Sequence, residues 1–287
     1  MTTPDPGAPV ATYCYRHPDR ESYVRCGRCD RVICPDCMTE AAVGFQCPEC
    51  VAEGRATVRS PLTQFGGKID SRASVTLTLI GICVAVFGIE FVAGVNSVLE
   101  NYGAWPFGIA INGEQWRLFT AVFLHVNLLH LLFNMYVLYL LGPQLERLFG
   151  HSRFLVLYLV AGLGGSVASY WFSQPNVVSA GASGAIFGLM GALVVAGHAV
   201  RADITQVLVL IGINLAIGFL VGGIDWRAHL GGLVTGAVVA AILAYAPRSQ
   251  RLLVQSVGIV LVVGGLLLAV VVRTDQLQDQ VRAITGG

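Results

Sequence analysis

Between residues 74 and 272, seven apolar stretches follow one another, each long enough to cross roughly 30 Å of hydrocarbon as a helix. They fall at 74–97, 119–141, 153–173, 182–200, 204–222, 228–246 and 252–272. A backbone in lipid must satisfy its own hydrogen bonds, so such a chain folds as an all-α polytopic bundle. Only 12% of the residues are charged, against about 25% in soluble domains, which excludes a water-soluble fold for most of the chain. A net charge of +1 gives no support to nucleic-acid binding, and none is expected.

Basic residues set the orientation. With the N-terminus inside, the inner flanks hold Arg55, Arg59, Lys68, Arg72, Arg147, Arg153, Arg201, Arg248 and Arg251, and the outer flanks only Arg117, Arg227, Arg273 and Arg282. The excess predicts a cytoplasmic N-terminus, and an odd number of spans puts the C-terminus outside. The polar tail, 274–287, is expected to be unstructured. The connection 98–118, with Trp105, Pro106, Phe107, Ile109, Trp116 and Arg117, is too apolar for a solvated loop and is expected at headgroup depth.

Polar groups within this apolar background carry the chemistry. Ser183 sits in Gly181-Ala182-Ser183-Gly184 at the mouth of the fourth span, and His229 opens the sixth. In the predicted orientation both lie in the outer half of the membrane, as do His130 and Asn134 of the second span. Taken singly, each has a structural reading: a packing serine, a proton-relay or haem-ligating histidine, a carboxamide joining helices. Together they supply a nucleophile, Ser183, and a base, His229. His130 and Asn134, four residues apart on one helix face, would join the Ser183 N–H as oxyanion donors. Glu90 and Asp225 are the nearest candidates for a third, imidazole-orienting carboxylate. Neither sits in a motif tied to His229, so a dyad is expected, with Glu90 joining helices. Gly184 with Gly188, and Gly232 with Gly236, give two spans small-residue faces that allow close approach. The glycines of the fifth span, Gly212 and Gly218, followed by Gly222 and Gly223, suit either a substrate gate or packing.

Gly181-Ala182-Ser183-Gly184, Ala228-His229 with Gly232 and Gly236, His125 with His130 and Asn134, and Trp116-Arg117 together resemble the rhomboid intramembrane serine proteases over about residues 74–246. The resemblance implies a six-helix core with a Ser183–His229 dyad and oxyanion donors His130 and Asn134. It places Trp116-Arg117 in a membrane-embedded first loop and His125 near the site. The seventh span is then an addition to that core. One position departs from the family: many members have a tyrosine four residues after the serine, where this chain has Phe187.

The head of the chain is a different kind of unit. Cys14 and His17, Cys26 and Cys29, Cys34 and Cys37, and Cys47 and Cys50 form four pairs of metal-ligand spacing. Eight ligands suit two structural zinc ions; seven cysteines leave one over from disulfide pairing, and an iron–sulfur site is the other metal reading. The pairing of ligands is not set by spacing. The order is similar to B-box zinc fingers, which implies that Cys14, His17, Cys34 and Cys37 hold one ion and Cys26, Cys29, Cys47 and Cys50 the other. Arg16, Arg20, Arg25, Arg28 and Arg31 make the first half basic, suited to a solvated face, to lipid headgroups or to an acidic cytosolic partner.

The expected organisation is a disordered 1–13, a zinc-binding 14–50, a flexible basic linker 51–73, a protease core 74–246, an additional span 247–273 and the tail 274–287. No apolar leader precedes the head, which predicts no cleavable signal peptide and a multi-pass protein of a bacterial plasma membrane. The expected substrates are transmembrane proteins in the bilayer. A catalytically silent relative that binds or escorts membrane proteins is the alternative; a transporter ranks below both.

Overall fold

The computed structural model describes residues 12–57, 62–70 and 72–285. The expected disorder of 1–13 falls almost entirely outside them, as does Arg59. The chain divides into two compact units, Met1–Pro61 and Leu62–Gly287.

The first unit has two small antiparallel hairpins, β1 (Tyr13–Cys14) with β2 (His17–Glu21) and β3 (Thr39–Glu40) with β4 (Phe45–Gln46), then helix α1 (Pro48–Thr57). Its core is mostly sulfur: Cys14, Cys26, Cys34, Cys37, Cys47 and Cys50 are buried with Ile33. So small an apolar core needs a staple. The basic first half is matched by acids of the same unit. Arg20 pairs with Asp36, Arg25 with Asp30 (3.1 Å), Arg28 with Glu53 (3.5 Å) and Arg31 with Glu49 (3.5 Å).

The expected linker 51–73 is only partly a linker. Its start is the body of α1, whose charged side chains and alanines favour helix as far as Thr57. Its second half is packed into the second unit. Phe65 is 2% exposed and stacks on Phe149 at 4.8 Å, and Gln255 donates to the Phe65 carbonyl (3.1 Å). At Gly67 a side chain would strike the Phe149 carbonyl, so the turn closes only because that residue has none.

Among the described residues the second unit contains seven apolar helices of sixteen or more residues: α2 (Ser74–Ala93), α6 (Leu128–Phe149), α7 (His151–Phe172), α8 (Ser183–Ala199), α9 (Thr205–Leu220), α10 (Trp226–Tyr245) and α11 (Arg251–Thr285). Five are long and apolar enough to cross a membrane; α8 and α9 are shorter, at 17 and 16 residues. The connection after α2 is built from α3 (Val95–Tyr102), α4 (Pro106–Ile111) and α5 (Arg117–Thr120). Arg117 organises it, reaching Glu114 (2.6 Å) and the carbonyls of Glu100 (2.8 Å) and Gly103 (3.2 Å), with its guanidinium over the Trp105 and Trp116 rings.

Two expected boundaries are corrected. The second span does not begin at 119: residues 121–123 form a 3₁₀ turn, and α6 starts where the Asn127 side chain accepts the His130 N–H (2.9 Å). That is an N-cap inside an otherwise apolar run. The tail is not unstructured, because α11 continues to Thr285. Its Leu277 is 1% exposed, in a cluster with Ile109, Ala110 and Leu118. Burial against the first loop supplies what the polar sequence lacks.

The helix α2 has no side-chain cap of its own, since Ala73 stands at that position. The buried Glu146 of α6 takes that place, accepting from Val75 N (2.9 Å), Thr76 N (2.9 Å) and Thr76 Oγ1 (2.6 Å). At the centre, α7, α8 and α10 meet through glycine. A Cβ at Gly232 would strike the Gly184 carbonyl, and one at Gly236 the Gly188 carbonyl. Lipid offers no hydrophobic drive between helices, so such close backbone contact is what holds them. The bundle's outer surface carries exposed Ile89, Phe91, Val260 and Leu261, a lipid-facing pattern.

Candidate functional site

Ser183 is the first residue of α8, and His229 lies in the first turn of α10. The glycine-mediated approach of those helices puts His229 Nε2 2.9 Å from Ser183 Oγ. With the imidazole proton on Nδ1, the serine hydroxyl donates to Nε2. His229 is buried, and Phe187, one turn along α8 from Ser183, lies flat on its ring with centroids 4.2 Å apart and planes 12° apart.

Before Ser183 the chain passes through Gly181 at φ +142°, a conformation rarely open to other residues, with the Gly181 N–H on the Ala121 carbonyl (2.9 Å). A side chain there would meet His130 Cε1 at 2.7 Å and Nε2 at 3.0 Å, with Ser183 Oγ at 3.5 Å. Glycine therefore leaves a gap bounded by the His130 imidazole and the serine hydroxyl. Asn134 is buried one turn beyond His130 and spends one amide N–H on the His130 carbonyl (2.8 Å), leaving a second to offer. All four residues line one cavity of about 900 Å³, closed on another side by Asn214, Ile217 and Val221 of the α9 region. A cavity of that size falls in the range of ligand-binding pockets.

Among the described residues no carboxylate bonds to His229 Nδ1, which is buried without a partner. Asp225 caps α10 instead. It accepts from Arg227 N (3.2 Å) and Ala228 N (3.2 Å), from Ser179 Oγ (2.7 Å) and from Ser169 Oγ. Glu90 accepts the His125 N–H (3.1 and 3.3 Å), joining α2 to the segment before α6. The buried His125 ring lies 5.3 Å from His130. An aspartate just before an apolar run is a helix-start signal that identifies the Asp225 cap. No sequence signal pointed to Ser169 and Ser179, which join it from other segments.

In the first unit the ligand atoms fall into two groups, Cys14, His17, Cys34 and Cys37, and Cys26, Cys29, Cys47 and Cys50, each with all four atoms within 4.8 Å of one another. His17 Nδ1 lies 3.3 Å from Cys34 Sγ and 3.4 Å from Cys37 Sγ, and Cys29 and Cys47 sulfurs are 3.7 Å apart. Thiolates on a tetrahedral ion with bonds of about 2.3 Å stand about 3.8 Å apart, so the donor sets fit a metal. The Cys47 N–H on Cys26 Sγ (3.2 Å) and Arg31 Nε on Cys29 Sγ (3.2 Å) stabilise thiolate charge.

Residues 112–246 match the Rhomboid domain profile. The chain is 42% identical over 178 residues to "Rhomboid protease GluP" of Bacillus subtilis (strain 168), covering 59% of this chain and 34% of that protein. It is 40% identical over 167 residues to "RHOMBOID-like protein 6, mitochondrial" of Arabidopsis thaliana, covering 55% of this chain and 54% of the relative. YdcA of Bacillus subtilis (strain 168), which also carries the rhomboid name, is 33% identical over 172 residues, 57% of this chain and 86% of its own length. The chain thus spans about a third of GluP and about half of the Arabidopsis relative. With the helical membrane bundle and the match to most of YdcA, the chain belongs to the rhomboid family.

Proposed function

We propose that the second unit is an intramembrane serine endopeptidase acting on transmembrane segments of membrane proteins. The observation that carries this reading is the 2.9 Å contact between Ser183 Oγ and His229 Nε2 inside a cavity of an otherwise apolar bundle. An ionisable side chain within a span is costly, and a paired one is a functional hypothesis by default.

In this mechanism Ser183 Oγ attacks the scissile carbonyl carbon as His229 Nε2 takes its proton. The carbonyl oxygen becomes an oxyanion, received by the Ser183 N–H and by donors from His130 and Asn134; one such donor is worth about 2.7–4 kcal/mol of barrier. His229 then protonates the leaving amine, and the C–N bond breaks to leave an acyl group on Ser183. Water enters, gives a proton to His229 and attacks the ester, which frees the acid and restores the serine. Without a carboxylate on Nδ1, orientation of the imidazole falls to the stacked Phe187.

The same proposal puts the N-terminus in the cytoplasm of a bacterial cell and the C-terminus outside its plasma membrane. It assigns two structural zinc ions to the first unit, one on Cys14, His17, Cys34 and Cys37 and one on Cys26, Cys29, Cys47 and Cys50. Zinc suits four nitrogen and sulfur donors around one point and would supply folding energy to a unit with little core.

The test is cleavage of reporter transmembrane segments by reconstituted protein, with product masses read directly. Wild type is expected to cleave, and Ser183→Ala and His229→Ala to lose cleavage. A folded wild type inert across a panel of segments would instead support a binding-only rhomboid.

A further inference from the structure

The C-terminal part of α11 is tied to the end of α7, from which the segment leading to the serine departs, and to α4. Trp171 Nε1 donates to the Ala269 carbonyl (2.9 Å), Arg273 Nε to the Tyr170 carbonyl (3.4 Å), and Tyr170 OH lies 2.9 Å from Thr274 Oγ1. One turn further, Gln278 Nε2 donates to the Ala110 carbonyl of α4 (2.7 Å), beside the buried Leu277.

A relay of contacts joins these groups to the Ser183–His229 pair. Ala104, just before α4, exchanges two backbone hydrogen bonds with Ser179 (2.9 and 3.0 Å). Ser179 Oγ donates to Asp225 (2.7 Å), the cap of the helix that carries His229. Ser169, next to Tyr170, donates to the same carboxylate. Two residues past Ser179, Gly181 N–H is held by Ala121, and Ser183 follows two residues on. The segment 173–182 is not helical, so its geometry depends on outside anchors such as these.

We infer that the C-terminal extension of α11, through Thr274 and Gln278, is a positioning element that sets Ser183 against His229. The inference rests on the proteolytic reading above. Gln278 touches no reacting atom; it fixes α4, and Ala104, two residues before α4, pairs with Ser179. A displacement of well under 1 Å at the serine is enough to slow attack, since reaction needs a near-attack geometry.

The test uses the full chain in vesicles. Gln278→Leu removes the donor, Gln278→Lys keeps one, and a chain ending at Arg273 removes both Thr274 and Gln278. Gln278→Leu is expected to lower kcat about threefold to tenfold, the rate equivalent of one hydrogen bond, with KM unchanged and melting within a few degrees of wild type. Gln278→Lys is expected to recover most of the rate. Hydrogen exchange at the Ala104 and Ser179 amides is expected to rise in Gln278→Leu and in the shortened chain, while amides in the middle of α8 stay protected. An unchanged kcat, a rate that falls only in step with melting temperature, or unaltered exchange at Ala104 and Ser179 would overturn the inference. An inert wild type sinks the proteolytic reading and this one with it; an active wild type matched by Gln278→Leu sinks this one alone.

Discussion

Phe187 lies flat against His229, with 4.2 Å between ring centroids and 12° between ring planes. Ser183 and Phe187 are one turn apart on α8, so one helix presents both the hydroxyl and the surface on which the imidazole rests. The stack is an apolar means of orienting a ring whose Nδ1 has no partner among the described residues.

Replacing Phe187 by Leu keeps an apolar side chain of somewhat smaller volume and removes the flat face. Aromatic pairs contribute about 0.5–1.5 kcal/mol beyond area burial, so kcat is expected to fall about twofold to tenfold with melting little changed. Steady-state cleavage beside a thermal melt checks this. A Tyr substitution keeps the ring and is expected to keep the rate.

Gly236→Ala would press a methyl group into the Gly188 backbone carbonyl, with no flexible side chain between them to give way. Overpacking of this kind costs about 1–3 kcal/mol. Because α8 and α10 must separate to relieve it, cleavage is expected to fall by more than the loss of folded protein explains. Activity per folded molecule, with folding measured by denaturant titration, is the readout.

Glu146→Gln removes the charge that caps α2 from another helix. The amide can accept at only one oxygen, so the Val75 and Thr76 N–H groups and the Thr76 hydroxyl can no longer all be satisfied. A loss of about 1.5–3 kcal/mol is expected, the range for hydrogen bonds to a charged group. Unfolding in mixed detergent measures it, and Ser183→Ala serves as a control expected to leave stability unmoved.

Metal analysis of the purified chain is expected to find two zinc ions per molecule. Cys26→Ser should lose one and keep the other, because the two donor sets share no residue. Chelation should expose the first unit to protease, since so small a core does not hold without metal.

The features legible in the sequence were those written locally. The succession of apolar helices followed from apolar run length, and the four metal-ligand pairs from their spacing. Ser183, His229, His130 and Asn134 stood out because polar groups are costly in apolar runs. What escaped was either a single cap inside an apolar run or held by distant partners. The break before α6 is hidden because Asn127 interrupts an apolar stretch by a single cap. The turn at Phe65 is fixed by Gln255, and the polar end of α11 by Ala110, neither near in sequence. Asp225 could be read as a helix start but not as the meeting point of Ser169 and Ser179.

The central claim is that His229 activates Ser183, and covalent labelling tests it most directly. Reconstituted protein is treated with a fluorophosphonate, digested, and the adduct located by mass spectrometry. The account predicts a single adduct on Ser183 in the wild type and its loss in His229→Ala. Labelling at another residue, or equal labelling of Ser183 without His229, would contradict it.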